Sequence, residues 1–386
     1  MVGLDKGLVD VAGGNTIASL IGAVFWLVIA TLMSNTDYGK LNYYLSISTL
    51  FSIVSMLGLG TTMITFLSKN DEEVRYQANL IVIFSNCIIG ALLFVFINHL
   101  SVVILLLGLS FFTMSQMENL GRRNYKSYSY TAILQRLLNV PLSLLLYFII
   151  GIDGIIIGYA TSTLLFSYNF FKSFRGAKFK FSSLMTKLPF ISHSYVLDIS
   201  NSVARNLDKL LIAPVFGFGV LGLYQIGFQF LTFLYIIPLS LFQFLLPQEA
   251  AKIQGTKVVI KGLAVAIIFS ISLFIAMPTI ISHFFPNFTQ SIHVSQIMIL
   301  GIIPLTLSSV LYSRFFGREK SKAVLIPSSV RVFTLIILIL FLGKTFGLIG
   351  LGIATLISLS LETSTLLIVS KLAFNKINKD DVNHTA

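Results

Sequence analysis

Seven ionisable side chains stand inside otherwise apolar runs: Arg136, Asp198, Arg205, Asp208, Lys209, Arg331 and Glu362. A charge near the centre of a bilayer costs roughly 2.5–3.5 kcal/mol on insertion scales, so four cations facing lipid would cost on the order of 10 kcal/mol. Such groups face a watery cavity or one another. Asp198, Asn201, Arg205, Asp208 and Lys209 fall at spacings of 3, 7, 10 and 11 from the first, which puts them on one face of a helix, with Val203, Leu207 and Leu210 opposite. Asn15, Ser19, Gly22 and Trp26 make a milder stripe of the same period. Two chemistries fit. In one, Arg136, Arg205, Arg331 and Lys209, with Asn201 and Asn15, line a cavity for an anionic substrate, because a guanidinium presents a planar fork to phosphate oxygens. Asp198, Asp208 and Glu362 then carry a coupling proton or sodium ion. In the other, Arg205 pairs with Asp208, Lys209 or a neighbour pairs with Asp198, Glu362 bonds to an adjacent helix, and the group only locks helices together.

The elements that must position these residues follow from composition. Of 386 residues, 55% are apolar and 11% charged, and the mean hydropathy is +0.89. A soluble domain this apolar could not cover its surface, which excludes soluble globular, disordered and disulfide-framework classes. A spanning helix needs about 20 apolar residues. Twelve candidate spans lie at 12–33, 38–66, 77–97, 100–117, 128–150, 153–171, 190–215, 219–246, 259–283, 294–313, 323–343 and 347–370. Residues 1–11 show no cleavable signal pattern, so the first span serves as its own insertion signal. Of the 27 lysines and arginines, 21 fall in the segments that are cytoplasmic if the N-terminus is inside, and only Lys40 and Lys344 fall in the others. The net charge of +12 is therefore mostly a positive-inside signal and not a nucleic-acid footprint. Both termini are expected in the cytoplasm and the chain in the plasma membrane.

The halves echo each other. Tyr38-Gly39 opens span two and Leu221-Gly222 opens span eight; Gly158-Tyr159-Ala160-Thr161 in span six matches Gly352-Ile353-Ala354-Thr355 in span twelve; Arg136 in span five has Arg331 in span eleven as counterpart. In the same order, these argue for an internal repeat. Six spans per half give both halves the same orientation, so a pseudo-two-fold axis along the membrane normal and a pathway between the halves are expected. The expected organisation is an N-terminal six-helix lobe at 1–172, a basic cytoplasmic linker at 173–189, a C-terminal six-helix lobe at 190–373 and a cytoplasmic tail at 374–386. The linker's lysines could gather anionic headgroups, but topology alone explains them. Pro141, Pro214, Pro238, Pro278 and Pro304 lie within spans as candidate kinks.

Other motifs do not hold. Gly343-Lys344-Thr345 resembles the end of a phosphate-binding loop, but the glycine required five residues earlier is Leu338. The five histidines, His99 and His193 among them, lack metal-ligand spacing. Asn287-Phe288-Thr289 is a sequon close to the membrane, a tripeptide that chance supplies often. Cys87 is the one cysteine and cannot form an intramolecular disulfide. No catalytic residues, metal or organic cofactor are expected, and any transport is expected to be driven by an ion gradient, by a substrate gradient or by a partner.

Asp37-Tyr38-Gly39 leading into span two, Gly58 and Gly60 near its end, Asp208-Lys209-Leu210-Leu211-Ile212, then Gly217, Gly222, Tyr224 and Pro247, and the turns at Gly154…Gly158 and Gly347-Leu348-Ile349-Gly350 resemble the polysaccharide flippase family. That family belongs to the multidrug/oligosaccharidyl-lipid/polysaccharide exporter superfamily. The resemblance covers nearly the whole chain. It implies an all-α, MATE-like fold of two six-helix lobes facing a V-shaped, often cationic cavity. It also implies transfer of an isoprenoid-diphosphate-linked oligosaccharide from the inner to the outer leaflet by alternating access. Its partners are then the lipid-linked oligosaccharide, membrane lipids and glycan-assembly enzymes, for a protein acting as a monomer. An ion-coupled multidrug or small-molecule antiporter of the same superfamily is the alternative. A major facilitator fits less well, because the loop Lys69-Asn70-Asp71-Glu72-Glu73-Val74-Arg75 lacks that class's pattern. An enzyme acting on lipid-linked sugars would need a sizeable loop or a carboxylate or histidine cluster that the chain does not encode.

Overall fold

The computed structural model describes residues 2–174, 182–250, 256–318 and 320–383. Arg175, Lys178 and Lys180 of the basic linker and residues 384–386 of the tail lie outside the described residues. Every regular element among the described residues is helical. This is what a chain of long apolar runs must do, because in hydrocarbon each backbone N–H and C=O has to find its partner within the segment.

The first half holds α1 (Val2–Leu32), α2 (Asn35–Met56), α3 (Leu59–Leu67), α4 (Glu73–Ile97), α5 (Leu100–Gly121), α6 (Tyr125–Ile150) and α7 (Ile152–Leu165), then the short α8 (Tyr168–Lys172) and α9 (Ser182–Met185). The second half holds α10 (Leu188–Phe216), α11 (Phe218–Leu234), α12 (Ile236–Ala250), α13 (Thr256–Phe284), α14 (Ile292–Ile299), α15 (Ile302–Gly317) and α16 (Leu325–Asn383).

Among the described residues, eight helices are long and apolar enough to cross a bilayer, or nine when α2 and α3, bent by 52° at their junction, count as one span. The helices are compatible with twelve crossings for three physical reasons. α7 is apolar but has only 14 residues. α10 has 29 residues and carries Asp198, Arg205, Asp208 and Lys209. The apolar stretch Lys322–Ala373 is 52 residues, which at about 1.5 Å per residue is over twice a bilayer core of roughly 30 Å. It breaks at Gly347, where φ is 58° and ψ −135°.

The breaks have identifiable causes. Leu57 and Gly58 both adopt left-handed conformations, at φ 52° and 75°, and end α2. A side chain at Gly58 would meet the backbone of α10, with Ile191 O and Tyr195 N each 2.6 Å from the Cβ position. Pro238 and Pro304 do not kink continuous helices as expected. Each is the third residue of a new helix, α12 or α15, where a missing N–H costs nothing. Pro141, Pro214 and Pro278 do lie inside helices.

Packing divides the chain into two compact units, one of Met1–Phe25 with Lys40–Leu210 and one of Trp26–Gly39 with Leu211–Ala386. The first has a core of Met56, Leu59, Met63, Val74, Val82, Phe111, Met114 and Phe170. Buried hydroxyls and amides tie its helices, as where Ser55 and Ser110 both donate to Asn86 Oδ1 at 3.0 Å. Such bonds serve where lipid offers no hydrophobic force between helices. The second unit uses the same device in Tyr224 with Thr355 (3.1 Å) and Ser308 with Thr363 (2.7 Å).

Candidate functional site

The ionisable residues fall into three settings. Arg136 projects from α6, half-buried. Its Nη1 donates to the Tyr159 hydroxyl of α7 at 3.1 Å, and its guanidinium lies 5.4 Å from the centre of the Tyr159 ring. Gly22 of α1 faces the same side chain, with the Arg136 Nε 3.8 Å from its Cβ position. No ion pair involves Arg136 among the described residues. Nearby on α1, Asn15 accepts a hydrogen bond from Tyr128 at 3.1 Å, so this amide already holds α1 to α6.

The face of α10 divides along its length. Asn201 and Arg205 are exposed and Asp198 is half-buried, whereas Asp208 and Lys209 are buried. Lys209 Nζ pairs with Asp208 Oδ1 at 3.2 Å and donates to the Arg205 carbonyl at 3.0 Å. The pairings considered from spacing, Arg205 with Asp208 and Lys209 with Asp198, are not the ones formed. Adjacent residues on a helix point about 100° apart, but the long lysine side chain bridges that angle and period alone does not reveal it. Asp198 accepts from Thr61 Oγ1 of α3 at 3.4 Å through both carboxylate oxygens. Thr61 lies in the first turn of α3, where the unpaired N–H groups and helix dipole favour negative charge.

Arg331 and Glu362 meet within the second unit. Arg331 Nη1 donates to Glu362 Oε2 at 3.4 Å, and Glu362 is only 4% exposed. The Tyr312 hydroxyl of α15 donates to Glu362 Oε1 at 2.5 Å and is 3.2 Å from Ser328 Oγ. Arg331 is thus half of a buried pair, unlike Arg136. The two arginines are not register equivalents either. The turns at Gly151 (φ 66°, ψ −138°) and Gly347 (φ 58°, ψ −135°) have the same backbone. In each turn a glycine three residues on, Gly154 or Gly350, packs on a carbonyl, Leu146 or Leu342. Counted from these turns, Arg331 aligns with Gln135, and Gly158 aligns with Ala354 and not with Gly352.

A second charged group lies where the basic turns cluster. Glu118, at the end of α5, is contacted by Arg75 Nε at 2.8 Å and by Arg122 Nε at 3.0 Å. Arg122 also grips Glu72 with two bonds of 2.7 and 2.6 Å. Burial works against the charge on Arg122, but its bonds to Glu72 and Glu118 outweigh that and hold the guanidinium above its ordinary value. Lys187 pairs with Asp71 at 2.6 Å. In the second unit, Arg314 and Arg318 contact Glu249 at 3.2 and 3.3 Å. Asn287 of the sequon donates its Nδ2, the atom a glycan would need, to the Met33 carbonyl at 3.2 Å.

Tyr159, Tyr312, Ser328 and Thr61 complete these sites; the sequence pointed to Tyr159 only as part of a repeat motif and to the other three not at all. Tyr159, Tyr312 and Thr61 lie on other helices than their charged partners, so no spacing rule links them, whereas Ser328 lies three residues before Arg331 on the same helix and meets the Tyr312 hydroxyl. No group of three or more metal-binding side chains occurs among the described residues.

A family model described as polysaccharide biosynthesis protein matches residues 6–248. No curated protein sequence matches significantly. Among solved structures, the lipid II flippase MurJ in an inward closed conformation is similar with a TM-score of 0.75 at 14% identity, over 93% of this chain and 86% of that one. An inward-facing multidrug resistance MATE family transporter of the MOP superfamily is similar with a TM-score of 0.66 at 14% identity, over 94% and 96%. The Vibrio cholerae MATE transporter VcmN is similar with a TM-score of 0.62 at 13% identity, over 97% and 98%. These likenesses give the fold: an all-α, MATE-like membrane protein.

Proposed function

The chain belongs to the polysaccharide biosynthesis protein family, and on that premise we propose that it is a secondary transporter. It flips an isoprenoid-diphosphate-linked oligosaccharide or polysaccharide precursor from the cytoplasmic to the outer leaflet by alternating access. The observation that carries the anionic-substrate reading is Arg136, a half-buried guanidinium held by a tyrosine and not neutralised by any carboxylate among the described residues. Such a group keeps its charge available to a diphosphate. Arg205, exposed and likewise without an ion pair among the described residues, supports it, with Asn201 one turn away. Lys209 and Arg331 contribute less directly, because their charges are shared with Asp208 and Glu362.

Asp198, whose half-buried carboxylate accepts from the Thr61 hydroxyl and forms no ion pair among the described residues, is the acid best suited to carry a coupling proton or sodium ion. The protein is proposed to sit in the plasma membrane as two six-helix lobes with both termini cytoplasmic. It would act as a monomer beside the enzymes that assemble its glycan. A second reading, ion-coupled antiport of multidrug or other small molecules, is favoured by the likeness of the fold to MATE transporters. Depletion in the host, followed by extraction of lipid-linked oligosaccharide, separates the two. Flipping predicts that complete glycan accumulates on its lipid carrier as surface glycan falls; unchanged glycan pools with altered drug sensitivity would favour the antiporter.

A further inference from the structure

One cluster of titratable side chains takes no part in the site above. His99 stands in the turn between α4 and α5. Its Nε2 shares a hydrogen bond of 2.8 Å with the Tyr44 hydroxyl of α2, and the two rings lie 4.6 Å apart. Its Nδ1 is 3.9 Å from Asp153 Oδ1, in the first turn of α7. The Ser101 hydroxyl, in the first turn of α5, donates to that same carboxylate oxygen at 2.5 Å. Tyr43 packs beside Tyr44, with ring centres 6.0 Å apart. The imidazole is therefore bracketed by a hydroxyl and a carboxylate from two helices that do not carry it, and 37% of the His99 side chain and 47% of Asp153 remain open.

The position of the cluster follows from helix length. α4 has 25 residues and α5 has 22, each about a bilayer thickness at roughly 1.5 Å per residue. The turn at His99 thus lies at the far end of these helices from Glu72, Arg75, Glu118 and Arg122. The basic turns mark the cytoplasmic side, so His99 and Asp153 face the outside.

We infer that His99, with Asp153 and Tyr44, is a proton-binding site on the outer face of the N-terminal unit. In the neutral ring the Tyr44 hydroxyl donates to Nε2, and Nδ1–H points to Asp153. One proton from external water converts the ring to imidazolium, with no other bond made or broken. Nε2–H then donates to the Tyr44 oxygen, and the 3.9 Å contact becomes an ion pair with Asp153. The imidazolium beside the Asp153 carboxylate makes this contact an ion pair, so external acid fastens the α4–α5 turn to α7 and α2. The ligand is a proton, and the inference stands apart from the identity of the transported substrate.

The test is hydrogen exchange of the intact protein in nanodiscs at pH 5.5 and 7.5, corrected for intrinsic exchange rates and read over residues 96–102 and 150–155. Wild-type protection should be about two- to fivefold higher at the lower pH, the scale of a partly exposed ion pair. His99→Gln and Asp153→Asn should each remove the pH dependence. Tyr44→Phe, which keeps the ion pair, should retain it, as should His193→Gln, which alters a histidine near the basic turns. Wild-type protection that does not change with pH, or a change that persists in both His99→Gln and Asp153→Asn, overturns the inference.

Discussion

Arg136 and Arg331 carry the same charge, and their partners separate them. Arg136 has a tyrosine and Arg331 a buried glutamate. Arg136→Ala should leave a folded protein and lower flipping by about ten- to a hundredfold, the loss of one charge-assisted contact to phosphate, measured as export of lipid-linked glycan. Arg331→Ala should instead act on stability. It strips a cation from a nearly buried carboxylate, which costs about 1–3 kcal/mol, visible as a lower Tm in detergent. Adding Glu362→Ala to Arg331→Ala should cost less than the sum of the two single changes, because the second removes the group the first left unpaired. A thermal double-mutant cycle with no coupling would deny the pair. That ionisable groups lie in spans was legible from composition, since nothing else interrupts the apolar runs. Which were paired was not, because Glu362 lies on the far side of the Gly347 break from Arg331, and that turn alone brings them together.

At the scale of elements, two glycines that echo each other in the sequence turn out to touch. The Cβ position of Gly39 on α2 is 1.9 Å from the Phe218 carbonyl oxygen, and that of Gly222 on α11 is 1.8 Å from the Asn35 carbonyl oxygen. The contact is reciprocal, the pattern a local two-fold makes. Gly39→Ala or Gly222→Ala should each lower stability by about 1–3 kcal/mol or more, as overpacking against rigid backbone does, whereas Gly13→Ala, with nothing within 4 Å of its Cβ position, should not. Thermal unfolding of the purified variants checks both. The repeat itself could be read from the order of its motifs. Its register could not, because only the matching φ and ψ of Gly151 and Gly347 fix which residue aligns with which, and they pair Arg331 with Gln135.

For the whole molecule, orientation is the property to test. In a Cys87→Ser background, Lys344→Cys should react with an impermeant maleimide in intact cells, and Lys126→Cys only after permeabilisation. Labelling of Lys126→Cys from outside would reverse the topology and move the His99 cluster to the cytoplasm. The sequence by itself determined that this is a helical membrane protein with an internal repeat and a strong charge asymmetry. Those properties depend on the free energy of placing each segment in lipid or water, and that sum is local to the segment. Tertiary structure alone decided that span two breaks at Leu57–Gly58, where the turn packs on the backbone of α10. It alone decided that Glu362 engages both Arg331 and Tyr312, and that His99 stands between Tyr44 and Asp153. Each depends on which helix lies beside which, a choice made by close backbone approach at small residues and by satisfaction of buried polar groups across helices, and neither is written in the period of one segment.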